Sequence, residues 1–111
     1  MTPDGFRKTR AYLRYVFQIA PHGDPGDRQL LERLVRLTQH HSRQVEELET
    51  QFAMAMRHPR NDVMVAQIRQ ERAVLLTAFT RSLATELGPG GERRVNDAIA
   101  HVKARTRMFH R

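Results

Sequence analysis

The side chains best suited to hold a metal or move protons in this chain are His40 and His41, the methionines Met54, Met56, Met64 and Met108, and the acidic run Glu46, Glu47 and Glu49. Spacing argues against each of them. Adjacent residues on a helix point about 100° apart, whereas a helical chelate needs ligands four residues apart. Neither His40 nor His41 has a His, Asp or Glu at that step. His41 falls instead in a run of apolar positions, where it reads as a core or seam residue. Methionine is a filler of irregular helical cores, and that is the reading for Met54, Met56 and Met64. A di-iron bundle uses Glu-x-x-His pairs on two helices; the chain contains none, so the glutamates read as a solvated helix face. Gly88-Pro89-Gly90-Gly91 has the composition of a phosphate loop but follows a helical pattern rather than a strand, which makes it a helix stop. The expectation is a protein with no catalytic, metal or cofactor-binding residues, and not an enzyme.

Charge is the more informative chemistry. The formal net charge is +7, and the excess sits at the two ends. Arg7, Lys8, Arg10 and Arg14 lie near the N-terminus, and Arg93, Arg94, Lys103, Arg105 and Arg107 near the C-terminus, with a nearly balanced middle. These nine residues are the candidate partner-binding set. Basic ends on a neutral body suit acidic or unfolded protein segments, anionic lipid or nucleic acid. Arg7, Arg10 and Arg14 follow i, i+3, i+7 spacing with Tyr12 and Tyr15 among them, a combination that can grip phosphates and stack bases. The gaps between helical stretches do not fit the tight turn of a helix-turn-helix reader.

The elements that must position these groups are helices. The 111 residues make one domain, 1–111, without cysteine and therefore without disulfide or thiolate chemistry. No apolar run is long enough to span a bilayer. Apolar spacing predicts a first helix over about Asp4 to Ala20, stopped by Pro21. Asp24 as N-cap and Pro25 at the first helical position open a second helix that continues to about Arg57. Its apolar positions, Leu30, Leu34, Leu37, His41, Val45, Leu48, Phe52 and Ala55 or Met56, follow steps of three and four as in a coiled-coil seam. Pro59 breaks the rod, and Asn61 or Asp62 can cap a third helix reaching about Leu87. The stripe of that helix is Met64, Ile68, Leu75, Phe79, Leu83 and Leu87. A last helix, about Gly91 to Phe109, carries Val95, Ile99, Val102 and Phe109 on one face. No sustained period-2 alternation marks a strand.

The fold expected is all-α: a long antiparallel helical hairpin flanked by shorter N- and C-terminal helices, about four in all. The second helix alone spans about 45 Å at 1.5 Å per residue, whereas a compact domain of this size has a radius of gyration of about 13 Å. The molecule must be elongated, and its end helices cannot cover the whole apolar length of the hairpin. A homodimer is expected to cover the remainder.

This layout resembles the small periplasmic helical proteins of the Spy/CpxP type and the CnrX-type metal sensors. Arg57-His58-Pro59 stands at the turn between the long helices, and Glu86-Leu87-Gly88-Pro89-Gly90-Gly91-Glu92-Arg93 at the boundary before the last one. The sensor branch's ligand set has no counterpart, since Phe79 and Leu83 occupy that stretch. What the resemblance implies is a dimeric, cradle-shaped envelope protein that holds unfolded or acidic clients. It would be periplasmic if an export signal has been removed, and cytoplasmic otherwise. The residues leave two other readings open: a cytosolic nucleic-acid-associated regulator using its basic end helices, and a helical assembly or secretion adaptor using the uncovered seam.

Overall fold

Two long helices lie antiparallel and two shorter ones close against their open end. The computed structural model describes residues 3–19 and 25–109, and among them the side chains of residues 5, 7–19 and 25–105. Helix α1 is Pro3–Phe17, α2 is Pro25–Ala55, α3 is Asp62–Leu87 and α4 is Gly91–Phe109. The described residues contain no strand. Each helix packs on its neighbour in the chain, and α4 also packs on α1, so the four close into a ring.

That ring occupies only one end of the molecule. A single cluster joins Leu13 and Phe17 of α1, Leu31, Leu34 and Val35 of α2, Leu83 and Leu87 of α3, and Val95 and Ala98 of α4. These residues come from the start of α2 and the end of α3, far from the turn that joins the two. The α2–α3 hairpin therefore rises from a four-helix base as a two-helix arm. The principal extents are 55 × 31 × 27 Å and the radius of gyration is 16.4 Å, above the roughly 13 Å of a compact domain. The elongation expected from helix length is present.

The helix ends follow local chemistry, with one departure. The Asp24 cap and the Pro21 stop lie outside the described residues, but α1 has already ended at Phe17. Gln18 takes a positive φ of 54°. The Gln18 N–H donates to the Tyr15 carbonyl at 3.3 Å, and the Ile19 N–H to the Arg14 carbonyl at 2.9 Å. This pair of bonds is a Schellman stop with a non-glycine residue at its left-handed position. The Arg94 guanidinium donates to the Phe17 carbonyl at 2.8 Å, filling one of the acceptors the helix end leaves open. A sequence reading looks for glycine at such a stop; here packing and Arg94 hold glutamine there, at a cost of order 1 kcal/mol for the left-handed backbone. Gln18→Gly should therefore raise stability by up to about 1 kcal/mol, read as a higher urea midpoint. An unchanged or lower midpoint would mean that Gln18 carries no strain.

Asn61 stands at the N-cap of α3, but its side chain makes no capping bond. Its carbonyl accepts from Val65 N–H at 2.8 Å, while its amide reaches the Met56 sulfur at 3.6 Å. At the far end of α3, Gly88 has φ +77° and donates its N–H to the Thr85 carbonyl. The glycine-proline segment is the helix stop that its position predicts.

Two core assignments shift. On α4, Ala98 and Val95 enter the core while Ile99 remains 37% exposed. Steps of three and four satisfy both sets, and the small side chain allows α4 to approach the base closely. On α2, Leu31 and Val35 add a second buried edge beside the Leu34 seam. That edge belongs to the cluster to which α1 contributes Leu13 and Phe17.

Candidate functional site

Above the base, the arm has only its own two helices to bury side chains, and two helices cannot enclose both flanks of their seam. Leu48 and Ala55 are buried. The lower α3 stripe, Ile68, Leu75 and Phe79, is half-buried. Val63, Val74, Leu76, Met54, Met56 and Met64 are exposed, with Val63 at 80% and Val74 at 62%. The methionines expected to fill the core are thus on the surface, because the turn end of the arm has nothing beyond it to pack against.

One flank of the arm is a crevice of about 530 Å³ in which Gln44, Gln51, Gln67 and Gln70 surround Leu48, Val74 and Leu75, with Glu47 and Glu71 at its edges. Toward the turn it continues between Met54 and Met64. Glutamine amides both donate and accept, and methionine adapts its shape to what it meets. A surface of this composition can accommodate apolar segments of varied sequence together with their backbone polar groups.

The opposite flank centres on His41. Its ring stacks on Phe79 with centroids 4.2 Å apart and planes within 5°, beside Val45, Glu46, Glu49, Arg72 and Leu76. Burial first, then the charges of Arg72 and His40, hold the His41 pKa below its ordinary 6.5. The folded state therefore resists a proton that the unfolded chain accepts. The contribution to stability is complete above the ordinary value and declines as pH falls from there toward the lowered one. Urea midpoints should drop between pH 7.5 and 5.5, and by less in His41→Leu. An equal drop in that variant would remove His41 as a source. Among the described residues no three His, Asp or Glu side chains converge as a metal site would require, and none of the described helices is long and apolar enough to cross a membrane.

At the base, the packing of α1 on α4 brings the two basic ends of the sequence to the same end of the molecule. Of the nine candidate partner-binding residues, Arg7, Lys8, Arg93, Lys103 and Arg105 are exposed, and Arg10, Arg14 and Arg94 are half-buried. The side chain of Arg107 is outside the described set. Arg10 is engaged within the fold, pairing with Glu32 of α2, and Arg94 caps α1 as described. A comparable tie, Arg33 to Glu86 at 2.6 Å, links α2 and α3. These surface pairs orient helices more than they stabilise them, each contributing of order 1 kcal/mol or less. The exposed cations remain as the electrostatic face of the base.

That face also holds a feature the sequence did not pair. Tyr15 of α1 meets His101 of α4, ring centroids 5.7 Å apart, and the Arg105 guanidinium lies 5.8 Å from the Tyr15 ring centre. A separation of 86 residues in sequence left no local signal for it.

Comparison of the chain with protein-family models, curated proteins and solved structures returned no match.

Proposed function

We propose that this chain is a non-enzymatic helical binding protein of the envelope-stress chaperone or adaptor type, which holds unfolded or acidic protein segments along the arm. The observation that carries the reading is the arm's composition. Exposed Val74 and, toward the turn, Met54 and Met64 border a glutamine-lined crevice, and exposed Leu76 stands on the opposite flank of an arm joined to the four-helix base at one end. Exposed patches of this kind on a stable domain mark interaction surfaces, and methionine-rich ones suit partners of varied sequence. The arginines of the base favour clients with net negative charge. In the absence of a client, two copies pair through the same strip as a homodimer. A periplasmic location fits this role.

The test is suppression of aggregation. Reduced α-lactalbumin, an acidic protein that aggregates when its disulfides are broken, is followed by light scattering with increasing amounts of the chain. Suppression near equimolar ratio is expected, and Val74→Glu with Leu76→Glu should abolish it while leaving the helical circular dichroism unchanged. No suppression by the wild-type chain, or full suppression by the double variant, would remove the arm as the client surface. Sedimentation at tens of micromolar tests the pairing separately: a monomer at that concentration contradicts it.

A further inference from the structure

We propose that the α1–α4 face of the base is a binding site for single-stranded nucleic acid, separate from the arm. Lys8, Tyr12 and Tyr15 follow steps of four and three on α1, so they form one strip along the helix, and all three are exposed. Tyr12 is 50% and Tyr15 58% exposed, which is a large aromatic surface to leave in water. Residues three apart on a helix hold their Cβ atoms about 5–6 Å apart, a spacing that lets two successive bases meet two rings. Across the helix interface, α4 supplies His101 beside Tyr15 and Arg105 against its ring. A groove of about 460 Å³ continues from Tyr15 past Gln18 and Asp97 to His101.

The ligand class follows from the combination of groups. Cations alone would serve any polyanion, including an acidic peptide. Exposed tyrosine rings add a preference for flat aromatic faces, and base-on-aromatic stacking contributes about 1–3 kcal/mol per base. A duplex hides its base faces, whereas a single strand offers faces and phosphates together. Asp97 gives the groove an acceptor for a base N–H, and Arg105 against the Tyr15 ring and Lys8 exposed on the α1 strip are the cations available to phosphates.

The chain supplies its own probe. It contains two tyrosines and no tryptophan, so its intrinsic emission comes from Tyr12 and Tyr15 alone. Titration with a twelve-nucleotide oligo-dT at 50 mM salt should quench that emission, and the affinity should fall linearly with salt on logarithmic axes. Tyr15→Leu should weaken binding about tenfold. Arg105→Gln should weaken it severalfold and reduce the salt slope by about 0.7, the share of one phosphate contact on a single strand. Arg60→Gln, at the turn of the arm, should leave it unchanged. Fluorescence anisotropy of labelled oligo-dT measures the same constants when tyrosine is removed, and circular dichroism checks that the variants fold. The proposal is overturned if oligo-dT binds without quenching or does not bind. It is equally overturned if inorganic polyphosphate binds and quenches as strongly, if both base variants bind as the wild type does, or if Arg60→Gln loses as much. Client suppression by the arm is read in another assay on other residues, so either proposal can fail alone.

Discussion

Leu34→Ala is expected to remove about 2–5 kcal/mol of stability, the range for truncating a leucine in a closed core. Leu34 and its neighbour Val35 are fully buried, each 0% exposed, and they sit where all four helices meet. Truncation there leaves a cavity lined by side chains of separate helices, each already fixed by its own contacts. The same change on the arm, Leu76→Ala, removes a side chain that is 54% exposed and should cost within about 0.5 kcal/mol. Urea unfolding of both variants measures the difference. Comparable losses would mean that the base is not where the stability resides.

Gly91→Ala is the second large effect and arises from the opposite fault. Gly91 is buried at the start of α4. A Cβ built there would lie 2.1 Å from the Ala84 carbonyl oxygen and 2.9 Å from its carbonyl carbon. Both are backbone atoms of α3, so no side chain can rotate away and the two helices must move apart. Overpacking of this kind costs about 1–3 kcal/mol and sometimes more. Moving α4 also disturbs Val95 and Ala98, its contributions to the core. Gly88→Ala has open space around its Cβ, but φ 77° with ψ −150° is a backbone conformation essentially confined to glycine, and holding alanine there costs about 1–3 kcal/mol. Gly91→Ala should unfold at a lower urea midpoint than the wild type by the equivalent of about 1–3 kcal/mol or more. An unchanged midpoint would show that the α3–α4 approach is looser than the backbone contact implies.

Most of the architecture was legible because helix signals are local. Pro25 and the Gly88–Pro89 stop fall at the observed start of α2 and end of α3, Pro59 lies between Ala55 and Asp62 in the turn that joins them, and the three–four spacing of Leu30, Leu34 and Leu37 marks the seam. The misses share one cause: they depend on which elements meet. Gln18 stops α1 without a glycine because Arg94, 76 residues on, caps the helix end. Ala98 replaces Ile99 in the core because the rotation of α4 is set by its neighbours, and both rotations fit the sequence period. The methionines read as core filler until the arm is seen to lack a covering layer at its turn. The basic residues were visible by type alone. That Arg10 and Arg94 are engaged within the fold while Arg105 lies against Tyr15 follows only from packing α1 on α4.

The division into a closed base and an uncovered arm is the claim on which the functional reading depends. Hydrogen exchange read by mass spectrometry, with and without an equimolar unfolded acidic client, tests it most directly. The amides of residues 31–35, 83–87 and 95–98 should exchange slowly in both samples. Those of residues 44–76 should exchange faster in the free chain and slow on addition of the client. Client-induced protection confined to α1 and α4, with residues 44–76 unaffected, would contradict the account.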